Sequence, residues 1–459
     1  MASKSKRARM TPVRDLSKTF LYWAIAVFVV KLLIIFNIQG GNIEISGRPF
    51  FLDGVWLGAD GENYLTGYEA LSREGLFSKE SILNYWPAGY PLVILLLSLL
   101  GKSWVLTTLS FVQSLIFSYA VYFFATELSK TKLKQFSYLV LLLVLLNPTL
   151  SLSSIAVGYE SLTASGLILC VGLVIRSFIA KNDKKFIKYL TISSMIYGLL
   201  AFVQPRLIVT GLAINMVWIL VWKGVQGGAL LISLTVAITL FFPATLIYRN
   251  NQAIGINSIS TNLGVTMNIG AGDNATGGYI KEGFGVDCDL SGNQSQQDNQ
   301  RVGCVLNWYL DNPVKAMELF YNKSIFFWSP WYGPVANGTM GRNPWLAINP
   351  LQEIATTQDG FNVVYGGFGK VISWLWLLGG LTLLLYGYFT LWRQNSLERL
   401  IGNLAMVAVT TNWLITLFTI GDHRFRVPVM GLSLFLQAIG LKTLFKGGKA
   451  PIVDGPSLR

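Results

Sequence analysis

The chain has 459 residues, 52% of them hydrophobic and 13% charged, with a mean hydropathy of +0.49 and a formal net charge of +13. Repeated long apolar runs at this composition exclude an ordinary soluble domain and indicate a polytopic membrane protein. Three cysteines are too few for a disulfide scaffold or zinc cluster, and a single histidine, His423, argues against His-rich metal sites and a Ser-His-Asp hydrolase.

Residues 1–18 are basic, carrying Lys4, Lys6, Arg7, Arg9, Arg14 and Lys18, so the positive-inside rule places this end in the cytoplasm. A first span is expected over about 19–38; it is full length, lacks a small-residue cleavage pattern, and reads as a retained anchor. Lys31 within it is expected to snorkel toward the outer surface. Residues 39–86 then lie outside, with seven acids against three bases. Residues 87–101 are short for a crossing and read as a juxtamembrane or re-entrant helix. Further spans are expected at about 103–126, 136–156 (bent near Pro148), 161–180, 189–204, 207–222 and 228–248. The turns between them carry Lys130/Lys132/Lys134, Tyr159-Glu160, Lys181/Lys184/Lys185/Lys188, Gln204-Pro205-Arg206 and Lys223.

Residues 250–365 form one large hydrophilic region, rich in Gly, Asn and Gln and then in aromatics. Spans at about 370–392, 400–420 and 427–445 complete the chain. The expected fold is all-α and polytopic, with about ten transmembrane helices and both termini cytoplasmic. The expected divisions are an N-terminal transmembrane module, 1–249, whose first outer loop (39–101) is catalytic; the large outer region, 250–365; and C-terminal helices with a cytoplasmic tail, 366–459. The two outer regions hold sixteen Asp/Glu against eight Lys/Arg, and the cytoplasmic segments five against twenty-one. The basicity is therefore a topology signal, and nucleic acid is excluded as a partner.

Asp60 and Tyr64, in Asp60-Gly61-Glu62-Asn63-Tyr64, are four apart and share one face if the segment is helical. A carboxylate at the membrane face can take a proton from a hydroxyl, whereas the plain structural alternative is an N-cap. Glu62 shares that chemistry or favours the helix N-terminus electrostatically. Arg206, Arg249, Arg424 and Arg426 lie at the outer ends of spans, the side that positive-inside bias disfavours. As a set they point to an anionic ligand, because guanidinium binds phosphate bidentately; headgroup contact or pairing with Asp422 and Glu160 is the alternative for each. Glu160 binds a sugar hydroxyl or pairs with an arginine, and His423 assists or is structural. The run Phe326–Tyr332 stacks sugars or forms an interfacial belt. Cys288 and Cys304 fall in the outer region, where an oxidising compartment permits a bridge worth ~3 kcal/mol; two free thiols are the other reading. Asp287 and Asp289 alone are insufficient for a Ca²⁺ site, so no cofactor is expected, although a divalent metal stays open.

Asp60–Tyr64 followed by Pro87-Ala88-Gly89-Tyr90-Pro91 resembles the first outer loop of the GT-C membrane glycosyltransferases. The closest group is the bacterial relatives of the protein O-mannosyltransferases and the aminoarabinose transferase. Ile247-Tyr248-Arg249-Asn250, Thr261–Gly264 and Ala275-Thr276-Gly277 are similar to the turn after those proteins' seventh span. Arg424-Phe425-Arg426-Val427-Pro428 resembles their late Arg-aromatic-Arg-x-Pro motif, and Tyr159-Glu160 and Pro205-Arg206 match more loosely. The pattern runs from about residue 20 to 440. It departs from the O-mannosyltransferases where Gly61 separates Asp60 from Glu62, and their soluble sensor domain has no counterpart.

The resemblance implies a polyprenyl-phosphate sugar donor, an outward-facing site with Asp60 as its catalytic carboxylate, and a glycan, lipid or protein hydroxyl as acceptor. In this reading the donor phosphate meets Arg249, Arg424, Arg426 and Arg206, while Tyr64, Tyr90, Glu160 and His423 bind substrate. The rival readings are a lipid-linked sugar flippase, which would more often show internal repeats, an O-antigen ligase or polymerase, and a non-enzymatic scaffold.

Overall fold

Apolar runs long enough to cross a bilayer satisfy their backbone groups internally only as helices, and the chain is accordingly an all-α polytopic membrane protein. The computed structural model describes residues 16–37, 44–45, 48–49, 51–52, 55–57, 60–278, 285–328, 367–394 and 397–445. In chain order the helices are α1 (Ser17–Asn37), α2 (Gly61–Glu74), α3 (Ile82–Tyr85), α4 (Gly89–Ser98), α5 (Val105–Leu128), α6 (Lys134–Leu145), α7 (Pro148–Ser153), α8 (Glu160–Ala180), α9 (Asp183–Val203), α10 (Leu207–Ile254), α11 (Leu263–Ile269), α12 (Gln294–Asp311), α13 (Pro313–Trp328), α14 (Gly367–Trp392), α15 (Leu397–Phe418) and α16 (Val427–Phe445). Seven described helices are long and apolar enough to cross a membrane, and shorter apolar stretches lie at Gly89–Ser98, Lys134–Leu145 and Leu377–Trp392.

The bundle core is built where α5, α8, α10, α15 and α16 converge, around Phe124, Ile168, Val171, Trp218, Leu404 and Phe435, all buried. Phe124 meets Phe435 edge-on at 5.6 Å, a favourable aromatic geometry. Gly89 is where α4 reaches the end of α9: a Cβ there would stand 1.8 Å from the Phe202 carbonyl oxygen, so only glycine fits.

Two expectations are corrected, at the third span and at Lys31. The third span is not continuous. Pro148 lacks the N–H that would extend the helix, so α6 stops at Leu145, and Asn147 caps α7 by accepting from Leu150 N at 3.0 Å. The sixth and seventh expected spans are two helices within Leu207–Ile254, separated where the backbone leaves the helix at Gly224 (φ 70°). There Gly228 lies against Ile219, with a Cβ 3.0 Å from its Cγ2, whereas nine residues of straight helix would separate them by about 13.5 Å; the chain doubles back.

Lys31 does not snorkel. It shares the face of α1 that buries Phe20, Ala24 and Ile35, so its ammonium points into the bundle. There Lys31 Nζ donates to Ser154 Oγ at 2.9 Å and lies 4.1 Å from the Phe117 ring centre.

Short strands organise the first loop. β1 (Glu44–Ile45) pairs antiparallel with β2 (Arg48–Pro49), and β3 (Phe51–Leu52) with β4 (Val55–Leu57). β4 then runs parallel to β5 (Ala156–Val157), joining the first loop to the chain entering α8.

Candidate active site

The β4–β5 pairing builds the site. Trp56 is opposite Ala156 and Leu57 opposite Val157, so three residues further along each strand the chain reaches Asp60 and Glu160. Two carboxylates from distant stretches of sequence thus arrive together at one end of the bundle, here termed the loop end.

Asp60 occupies the N-cap position of α2, but its side chain makes no capping hydrogen bond. Its buried carboxylate instead pairs with Arg424, Nη2 to Oδ2, at 2.5 Å. Arg424 is presented by a short 3₁₀ turn, His423–Arg426, whose first N–H groups are fixed by Asp422: Oδ1 accepts from Arg424 N at 2.8 Å. Asn412 of α15 donates through Nδ2 to the Phe425 carbonyl, tying the turn to the bundle.

Phe425 serves as a platform. The Arg206 guanidinium stacks over its ring at 4.2 Å, and that of Arg424 lies 5.4 Å away. Arg206 Nε and Nη2, Arg424 Nε, and both carboxylate oxygens of Glu160 are buried with no hydrogen bond of normal geometry among the described residues. Buried polar groups are almost always paired, so unpaired donors and acceptors of opposite sign gathered here make this the candidate site. Arg426 lies over the Trp328 ring at 5.9 Å, extending the cationic side.

Three tyrosines wall the carboxylates. Tyr64 meets Tyr90 at 4.9 Å and Tyr159 at 6.2 Å, both edge-on. Burial pushes the Tyr64 phenol well above its ordinary range, reinforced by Tyr159, Asp60 and Glu160 and opposed by Arg424. Tyr159 is raised too, by burial first and then by Glu160, against Arg206 and Arg424. These phenols stay neutral and can donate to a ligand. Tyr90 is already engaged: its hydroxyl accepts from Gly158 N at 2.6 Å and donates to Gln113 Oε1 at 3.2 Å, while Gln113 Nε2 donates to the Ala156 carbonyl at 2.9 Å. Tyr90 and Gln113 therefore hold the turn that carries Glu160.

Asp60, Tyr64, Glu160, Arg206 and Arg424 are the expected residues that the fold brings together. Arg249 joins a different network. Its guanidinium donates to the Leu76 carbonyl at 3.0 Å, to Asn84 Oδ1 and Asn250 Oδ1 at 2.9 Å each, and to the Ser78 carbonyl. It braces the α2–α3 loop from within. Glu62 is exposed on the first turn of α2, on the side away from Tyr64. His423 lies in the 3₁₀ turn, and its side chain is outside the described residues, as are residues 329–332 of the aromatic run.

Cys288 and Cys304 form a disulfide that ties the Asp287–Asp289 stretch to α12. Sequence reasoning gave no role to Phe425 as a platform or to Gln113 as a strut. Gln113 was findable as a lone amide in an apolar span, since intramembrane polar residues mark functional regions.

No group of three His, Cys, Asp or Glu side chains that could hold a metal occurs among the described residues. Asp60 has an arginine as its counter-charge, and a cation beside Glu160 would have to sit near Arg424 and Arg206.

No protein-family model matches the chain, and no curated protein sequence matches it. Solved structures of the oligosaccharyltransferase AglB from Archaeoglobus fulgidus are similar. The form tethered to an acceptor peptide is 12% identical with a TM-score of 0.44, covering 93% of this chain and 50% of that one. The complex with an inhibitory peptide and a dolichol-phosphate is 12% identical with a TM-score of 0.43, over 93% and 51%. The apo form is 13% identical with a TM-score of 0.46, over 93% and 51%. The chain spans about half the length of these structures.

Proposed function

We propose that the chain is an integral membrane glycosyltransferase. It takes a sugar from a polyprenyl-phosphate donor and passes it to a hydroxyl of an envelope glycan, lipid or protein at the outer face of the membrane. The observation that carries this reading is the buried Asp60–Arg424 pair beside Glu160 and Arg206, whose polar atoms lack partners.

The donor's phosphate binds where Arg206 Nε and Nη2 and Arg424 Nε have no partners, with Arg426 adding charge; guanidinium forks suit phosphate oxygens. Asp60 keeps Oδ2 on Arg424 and uses its other oxygen as general base on the acceptor hydroxyl. The acceptor oxygen attacks the anomeric carbon from the side opposite the phosphate. The bond from that carbon to the phosphate oxygen breaks with its electron pair, the proton passes to Asp60, and polyprenyl phosphate departs. One displacement inverts the anomeric centre. The arginines oppose the charge that grows on the leaving phosphate, and in a buried site this is the largest electrostatic contribution to the rate. Glu160 accepts from a sugar hydroxyl, while Tyr64 and Tyr159 donate from the wall. Glu62 and His423 take secondary positions, and Arg249 preserves the loop that carries the base.

Transfer from synthetic polyprenyl-phosphate sugars by the reconstituted protein, with the product's anomeric configuration read by NMR, tests this reading. An inverted product supports it, and a retained configuration overturns the single displacement.

A further inference from the structure

α13 is apolar on two opposite faces. One, formed by Ala316, Leu319 and Phe327 and interrupted by the hydrogen-bonded Lys323, is buried against the bundle. The other, offset from it by two residues or about 200°, is formed by Val314, Met317, Tyr321 and Ile325. These four are 84%, 67%, 67% and 38% exposed. The polar flank between them carries the Lys315–Glu318 ion pair at 3.1 Å. A water-soluble helix turns one apolar stripe inward and keeps the opposite one polar, and α13 does not follow that rule.

The packing of α13 on α15 says what faces the second stripe. Phe320 packs on Phe418 at 5.5 Å, Lys323 Nζ donates to the Leu417 carbonyl at 2.8 Å, Ser324 Oγ accepts from Trp413 Nε1 at 3.1 Å, and Trp328 lies 6.4 Å from Trp413. As α13 advances from 320 to 328, its partner on α15 retreats from 418 to 413. α15 is a spanning helix, so α13 descends beside it by about 7.5 Å, five residues of rise.

We infer that α13 is seated in the membrane leaflet at the loop end, with the Val314–Met317–Tyr321–Ile325 stripe against lipid and the Lys315–Glu318 flank toward water. Its lower end carries Trp328, over which Arg426 lies, so the helix sets the depth of the cationic side of the site relative to the lipid surface. The inference rests on the spanning helices and not on the transferase reading, and it stands or falls separately.

Site-directed spin labelling of the full chain in phosphatidylethanolamine–phosphatidylglycerol vesicles tests it. Val314→Cys, Met317→Cys, Tyr321→Cys and Ile325→Cys each add one reactive thiol, since Cys288 and Cys304 are paired and Cys170 is buried. Collision with lipid-soluble oxygen should dominate over collision with a water-soluble nickel chelate at Met317, Tyr321 and Ile325, and the ratio should rise from 314 to 325. Glu318→Cys on the flank should show the reverse. Nickel collision along the stripe equal to that at Glu318 overturns the inference. So does low collision with both reagents, or failure of the thiols to label, because protein then covers the stripe, whether residues 329–366 or a second copy. The unsubstituted chain gives a second measurement: a photoactivatable lipid should cross-link the 312–326 peptide, and absence of that adduct while the spanning helices are labelled contradicts the lipid contact.

Discussion

Asp60 and Arg424, separated by 364 residues in sequence, share a buried ion pair of 2.5 Å at the N-terminus of α2. The pair joins the first loop to the 3₁₀ turn that opens α16, so it is both a fastening and part of the proposed chemistry. Removing one member of a buried pair typically costs about 3–5 kcal/mol, because the other charge is left uncompensated. Arg424→Ala should therefore lower stability more than Asp60→Asn, since Asn can still accept from the guanidinium. The two losses should be less than additive in the double variant, as thermal melting in detergent would register. Full additivity would mean that the two side chains do not interact.

Glu160 presents the opposite balance. Its carboxylate oxygens are buried with no hydrogen bond of normal geometry among the described residues, which disfavours folding, so Glu160→Gln should leave thermal stability unchanged or raise it. Transfer should nonetheless fall at least tenfold, about 1.4 kcal/mol of transition-state stabilisation. A variant that melts much lower but turns over normally would make Glu160 a structural residue.

The two arginines at span ends should separate cleanly. Arg206→Ala should weaken binding of a polyprenyl-phosphate analogue at least tenfold, about 1.4 kcal/mol, with melting little changed, and Arg206→Lys should rescue it only in part. Arg249→Ala removes donors from the Leu76 and Ser78 carbonyls and should destabilise the protein, by about 1–3 kcal/mol for each buried acceptor left unsatisfied. The surviving folded fraction should bind the analogue normally. Titration calorimetry beside melting curves distinguishes the two roles.

Lys323 gives a pH dependence. Burial holds its ammonium down at about 7, against an ordinary value of 10.5. Between those values the unfolded chain binds the proton and the folded chain does not, so this residue makes stability rise with pH from about 7 toward 10. The penalty for its burial is present in full below the folded value. Near pH 10 and above, Tyr64, Tyr159 and Tyr309 act in the opposite sense, because burial keeps their phenols protonated in the fold. Lys323→Met should flatten the rise, which melting midpoints across the alkaline range would reveal. An unchanged slope would remove Lys323 as its source.

Much of this was legible in the sequence, and the gaps have physical causes. The positions of α5, α8, α15 and α16 follow from apolar length alone, and the residue types at 60, 160, 206 and 424 single out side chains that the fold does bring together. The two-residue β4–β5 pairing that brings Asp60 to Glu160 is too short to leave a pattern. Arg249 resembled the other arginines because side-of-membrane reasoning sees charge but not the carbonyls that surround it. Lys31 read as a snorkelling residue because its burial depends on which face of α1 meets α5. Pro148 alone suggests a bend, but with Asn147 before it as a cap it ends one helix and starts another.

The most direct test of the central claim is sugar transfer by the purified chain and its Asp60→Asn variant in the same vesicles, using a panel of synthetic polyprenyl-phosphate hexoses and pentoses with envelope acceptors. Binding of the polyprenyl-phosphate analogue is measured alongside. The account predicts transfer by the unsubstituted protein, and a loss of about a hundredfold or more in the variant, the range for a lost general base, with analogue binding retained. Full transfer by Asp60→Asn would contradict the catalytic assignment, and movement of the lipid-linked sugar across the bilayer without transfer by either protein would favour a flippase instead.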